Sequence, residues 1–281
     1  MFLENISGPL IVFGLVVLVL LGAVYLLKKK RKAGAEGQQE LPEDPLGNLK
    51  KISGRLPEKL LLHMKEAGID LVPVIVKSWP ELAPDIREQL QEFWEAQGYL
   101  DIFIQRLGAK NEEQCLEAAQ VLMGLKNKNL LLSLIDTFTK PGQYVPARVA
   151  DVILSYGAEA VPPLLRRLPE LPLEAKCQVI SILEEFGNRQ AVPGILKELS
   201  HPSPQVRAKA VDALGELGDQ EIAGNLISMM QDQDWGVRAR AAKALGKIKA
   251  SQARPVLEEA LLDEAWWVRS NAKEALKRIS H

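Results

Sequence analysis

Arginine recurs at one register of this 281-residue sequence, at Arg207, Arg238 and Arg269, and aspartate recurs at the same 31-residue interval at Asp232 and Asp263. A guanidinium holds a carboxylate through two parallel N–H donors, so the pattern suits partner recognition or a tie between neighbouring units. Repetition in every copy favours the tie. Arg207, Arg238 and Arg269 are expected to bond Asp232, Asp263 and loop carbonyls as a structural ladder. Trp235 and Trp266 lie one interval apart, and Trp267 sets a second indole beside Trp266. Two readings stay open for these indoles: they cover the apolar end of a stack, or they contact a partner, since Trp and Arg dominate interface hot spots. Together with Asn271 they depart from an otherwise interchangeable pattern, and the four form the candidate partner-binding set.

No catalytic constellation emerges. His63 is followed by Met64, His201 by Pro202, and His281 stands last, so the three histidines make no His-Glu pair and no HExxH or CxxC metal spacing. P-loop, GxGxxG and G-x-S-x-G patterns are absent, and the expectation is no catalytic residue, no metal and no cofactor. Cys115 and Cys177 lie in apolar helical contexts and are expected to be buried, reduced thiols. Nucleic-acid binding lacks its basic face: residues 203–281 carry twelve Lys/Arg against eleven Asp/Glu.

The elements that position these residues follow from three copies of one phrase. VRAKAVDALGEL begins at Val206, VRARAAKALGKI at Val237 and VRSNAKEALKRI at Val268. A period of 20 to 50 residues marks stacked units, each too small to bury its own apolar face. Val206, Ala210, Leu214 and Leu217 form the stripe of a first helix, with Ser203 and Asp234 at N-cap positions and Pro204 at N1. Pro162, Pro193 and Pro255 recur early in a second helix, where a missing N–H costs least. First-helix candidates upstream lie near 58–67, 84–97, 111–125 and 146–156. The reading is about seven two-helix repeats and a final unpaired helix from Ala265 to Ile279, without strands. Trp79 and Trp94, in degenerate repeats, are expected in the core.

Leu10 to Leu27 is a charge-free run of eighteen residues, fourteen of them Leu, Val, Ile or Phe. Such a run is worth very roughly 4 to 8 kcal/mol of insertion free energy and nearly spans a bilayer core of ~30 Å. Neither a basic stretch before it nor an A-x-A site after it suggests a cleaved signal. Lys28, Lys29, Lys30, Arg31 and Lys32 follow it directly and act as the topology signal, placing the N-terminus outside and the rest in the cytoplasm. Without these five bases and the upstream Glu4, 30 basic and 35 acidic residues remain, so residues 33–281 carry about −5.

The phrases SPQVRAKAVDALGELG, DWGVRARAAKALGKI and AWWVRSNAKEALKRI, with second-helix phrases AVPPLLRRL, AVPGILKEL and ARPVLEEAL, resemble the short HEAT-like repeat family, the type found in phycobilisome (bilin) lyase subunits and bacterial scaffolds. The resemblance is strong over 145–281 and extends weakly to 57. It implies an all-α fold, an α-solenoid of HEAT-like two-helix repeats with a period of about 31, here preceded by one transmembrane helix. It also implies two functional classes, a scaffold or an enzyme of the bilin lyase or metal hydroxylase type, and the missing His-Glu pairs disfavour the second.

The expected organisation is a short extracytoplasmic segment (1–9), a transmembrane helix (10–27), a basic stop and flexible linker (28–56), divergent helical repeats (57–145) and regular HEAT-like repeats (146–281). The expected function is that of a single-pass membrane scaffold or adaptor. Its cytoplasmic repeats bind a membrane-proximal protein across a concave surface of second helices; the bilayer is engaged through the N-terminal helix, and nucleic acid is not bound.

Overall fold

The computed structural model describes residues 49–50, 52, 54–139 and 147–280. The apolar run at 10–27 and the basic block at 28–32 lie outside the described residues. Among the described residues no helix is long and apolar enough to cross a membrane, and there is no strand.

Fifteen α-helices are described, and they fall into first and second helices of successive pairs. First helices are α1 (Glu58–Ala67), α3 (Pro84–Ala96), α5 (Glu112–Leu125), α7 (Ala147–Leu154), α9 (Leu173–Glu185), α11 (Pro204–Leu217), α13 (Trp235–Lys247) and α15 (Trp266–Ile279). Second helices are α2 (Val72–Lys77), α4 (Tyr99–Arg106), α6 (Lys128–Asp136), α8 (Val161–Arg167), α10 (Val192–Lys197), α12 (Ala223–Ser228) and α14 (Arg254–Glu259). Among the described residues they form seven pairs, and α15 follows the seventh. Most second helices are short α segments set between 3₁₀ turns, such as Arg189–Ala191 and Glu198–Ser200 around α10. Pro73, Pro162, Pro193 and Pro255 each occupy the first α turn, where the ring presets φ.

The turn inside each pair explains why the register drifts upstream. Gly68, Gly98, Lys126, Gly157, Gly187 and Lys249 all have positive φ and all occupy this turn, at intervals of 30, 28, 31, 30 and then twice 31 residues. A left-handed residue reverses the chain in minimal length, and the early repeats differ from the later ones by up to three residues per turn-to-turn interval.

Residues 173–279 form two layers. First helices stack in succession, α9 on α11, α11 on α13 and α13 on α15, while α10, α12 and α14 each lie against the first helix that follows. The stripe Val206, Ala210, Leu214 and Leu217 is buried, and Ala208, Ala213 and Gly215 of the same helix are buried as well, because α11 has neighbours on several sides. Small residues set the spacing: a Cβ on Gly215 would lie 2.8 Å from the Ala244 Cβ, and one on Gly246 would lie 2.6 Å from the Ala275 Cα. Upstream the packing departs from this rule, since α2 lies against α5 and a Cβ on Gly124 would meet Val76 Cγ1 at 2.6 Å. Trp79 and Trp94, expected in the core, are buried there and stack 5.5 Å apart.

Two sequence expectations change. The segment read as linker up to residue 56 is docked at its end: the Gly54 N–H donates to Asp85 Oδ2 at 2.7 Å, the Leu56 N–H donates to Gln89 Oε1 at 2.8 Å, and the Leu56 side chain is buried. Ser203 does occupy the N-cap position of α11, but its side chain accepts no N–H from the helix; its hydroxyl bonds the Gln205 side chain instead. Asp234 caps as expected, accepting from Gly236 and Val237 at 2.8 and 3.2 Å, and Pro204 opens α11.

Candidate protein-interaction surface

The fourth residue of six first helices sends its side chain back to the loop before its own helix. Arg87 donates to the Leu82 carbonyl, Cys115 to Leu107, Lys176 to Leu168 and Pro169, and Arg207 to His201 and Pro202. Arg238 does the same to Asp232 and Gln233, and Arg269 to Asp263 and Glu264. These carbonyls lie at or after the end of a second helix, where helical donors run out, and a folded-back side chain supplies one. The sequence reading found Arg207, Arg238 and Arg269. It missed Lys176, which lies one 31-residue step before Arg207, and it missed Arg87 and Cys115, where the register has drifted.

Two arginines add a second grip. Arg207 Nε and Nη2 donate to both carboxylate oxygens of Asp232 at 2.7 Å, and Arg238 repeats the geometry on Asp263 at 2.8 and 3.0 Å. Asp232 and Asp263 also accept the N–H groups of Asp234 and Ala265, so each closes its own turn while holding the previous repeat. The Arg238 guanidinium holds the Asp263 carboxyl below the usual carboxylate range against the opposing effect of burial. For Asp232 burial is the largest influence and pushes the carboxyl up, but the bonds from Arg207 and the Asp234 N–H outweigh it and leave the group lowered. One repeat earlier the slot is filled differently: buried Lys176 pairs with buried Glu198 at 3.2 Å, and His201, at the register of Asp232, accepts the Ser203 N–H through Nδ1.

The four candidate contact residues separate into two groups. Trp235 is 50% exposed, and Trp266 and Trp267 are each 57% exposed at the amino-terminal ends of α13 and α15. The two adjacent indoles meet edge to face with centroids 4.5 Å apart. More than half of the surface of Trp266 and of Trp267 is exposed. Asn271 points the other way, donating through Nδ2 to the Ala239 carbonyl at 2.8 Å, and so ties α15 to α13. Leu262, 88% exposed, joins the indoles, and the sequence reading passed over it. Its signal was available, because the same register holds Gln231 and Ser200 in the preceding repeats.

A groove of about 610 Å³ opens over the Arg238–Asp263 pair, lined by Met230, Val256 and Leu262 with the carboxylates of Glu259 and Glu264. The residues of α15 that correspond to the buried Ala239, Ala242 and Gly246 of α13 are Ser270, Lys273 and Lys277, so the surface of α15 beyond the stack is polar. Cys115 is buried, whereas Cys177 is half-buried with its thiol pushed up by burial, and both are unpaired. The topology residues 28–32 lie outside the described residues. Among the described residues no group of three or more His, Cys, Asp or Glu converges as a metal site.

Comparison with known proteins bears on the fold. No curated protein matches the sequence. The complex of CpcE and CpcF of phycocyanin lyase from Nostoc is similar with TM-score 0.48 and 21% identity, over 53% of this chain and 99% of that one. Human deoxyhypusine hydroxylase is similar with TM-score 0.39 and 15% identity, over 84% and 96% of the two chains. A designed armadillo repeat protein in complex with the peptide (KR)4 is similar with TM-score 0.41 and 18% identity, over 85% and 100%. Residues 170–221 and 192–277 match the family of HEAT repeats.

Proposed function

We propose that this protein is a non-catalytic, membrane-anchored scaffold or adaptor whose HEAT-like stack binds a protein partner. The observation that carries the reading is the exposure of Trp235, Trp266 and Trp267 together with Leu262, the most exposed large apolar side chain among the described residues. Trp is the residue most enriched among interface hot spots, and stacked helical repeats offer extended surfaces for partner proteins. The match to HEAT repeats supports the same reading. The anchor rests on the sequence of residues 10–32: the apolar run inserts, the five bases after it keep the repeats in the cytoplasm, and tethering raises the concentration of a membrane-proximal partner.

Full-length protein carrying a photo-crosslinker at residue 235 or 267, expressed in its native cells, tests both parts. The expected result is one reproducible protein adduct at each position, with the chain retained in the membrane pellet after alkaline extraction. Absence of an adduct from a stable, membrane-inserted protein would sink the scaffold reading, and recovery in the soluble fraction would sink the anchor. Bound iron or a chromophore absorption in the purified protein would favour the enzyme alternative instead.

A further inference from the structure

We propose that Arg269 is the docking point for a carboxylate-bearing segment of the protein partner, seated against Trp266, Trp267 and Leu262. This inference rests on the scaffold reading and names the chemistry of its contact. Two precedents lie within the same stack. Arg207 and Arg238 each divide their guanidinium in the same way: Nη1 holds two loop carbonyls of the arginine's own repeat, while Nε and Nη2 hold an aspartate of the next. Arg269 makes the first half of this arrangement, with Nη1 at 2.7 Å from the Asp263 carbonyl and 2.8 Å from that of Glu264. Among the described residues no carboxylate stands against its Nε and Nη2. The carbonyl bonds orient the guanidinium in advance, so a carboxylate that arrives there loses little to ordering the side chain.

The surroundings fit a protein segment. Trp266 and Arg269 are three residues apart on α15 and share a side of the helix, with Trp267 packed edge-on against Trp266. Leu262 adds an aliphatic side chain that is 88% exposed. The nearby acids are already engaged or set aside: Asp263 is held by Arg238, and Glu264 lies 3.5 Å from Arg238 Nη2. Lys273, one turn further along α15, is exposed and adds positive charge. An arginine with exposed indoles and a leucine close to it along the chain has the composition of an interface anchor.

The test uses a fluorescein-labelled peptide of residues 259–265, the segment that presents Asp263 to Arg238, and a version in which every acid is replaced by its amide. Binding to the full chain in detergent is read by fluorescence polarisation. The acidic peptide is expected to bind saturably and the amide version at least tenfold more weakly. R269Q should lose at least tenfold in affinity, and R269K, which keeps the charge and loses the fork, should lose severalfold. Unchanged helical circular dichroism checks folding; if R269Q does not fold, R269K and Trp267→Ala carry the test. Equal binding of acid and amide peptides, binding indifferent to R269K, or no saturable binding overturns the inference. Phosphatidylcholine vesicles that shift indole emission equally in wild type and R269Q would mark a membrane contact and also overturn it. Adducts that form at residue 235 but are unaffected by R269Q would leave the scaffold standing while this site falls.

Discussion

At the scale of single residues, the carboxylates of the ladder do more than their exposure would suggest. Asp263 is mostly buried, receives two N–H donors from Arg238 and one from Ala265, and therefore couples three segments at once. Asp263→Asn removes the charge and leaves Arg238 partly desolvated without its partner, which is expected to cost roughly 3 kcal/mol near neutral pH. The pH dependence has a definite sign. Because the folded-state pKa lies below the unfolded value of about 3.9, the contribution is fully present above that value and is lost as pH falls through the lower folded value. Urea titrations from pH 7 to pH 2 should show the variant less stable at pH 7, with the gap to wild type closing below about pH 4. An equal gap at every pH would refute the assignment. The ladder was legible in the sequence where Arg and Asp repeat at 31 residues, and illegible at Lys176, where Glu198 reaches the same slot from a different register.

At the scale of elements, glycine marks where first helices touch. Gly246 and Gly224 are both helical, yet they predict opposite outcomes for the same substitution. A Cβ on Gly246 would stand 2.6 Å from the Ala275 Cα and 2.7 Å from its Cβ, backbone that cannot yield without moving α15. Gly246→Ala is expected to destabilise by about 1–3 kcal/mol. A Cβ on Gly224 meets nothing within 4 Å, and Gly224→Ala is expected to stabilise by about 0.4–1 kcal/mol through the unfolded chain. Thermal melts of the two variants decide it, and the same sign for both would contradict the packing described. The repeated ALG of the two phrases carried part of this signal. What it lacked was the distance of approach, because a glycine reads the same whether a neighbour presses on it or open solvent lies beside it.

At the scale of the whole molecule, each repeat of residues 173–279 touches its neighbours in sequence, so damage there should travel a short way. Hydrogen exchange on Gly246→Ala is expected to show faster exchange in α13 and α15 and unchanged protection in α3 to α6, as nearest-neighbour coupling requires. Uniform loss of protection from α1 to α15 would mean a single cooperative core instead. The sequence by itself determined the all-helical repeat, its 31-residue period, the stripe of Val206, Ala210, Leu214 and Leu217, and the recurrence of arginines with aspartates that can accept from them, because these follow from periodicity and from charge chemistry; which arginine holds which aspartate came from the structure. Only the tertiary structure decided that the tryptophans stand open to solvent while Asn271 is spent on the Ala239 carbonyl, and that α2 turns onto α5 in the early repeats. Exposure and partner choice depend on which neighbouring surface arrives at a position, and a period along the chain does not contain that information.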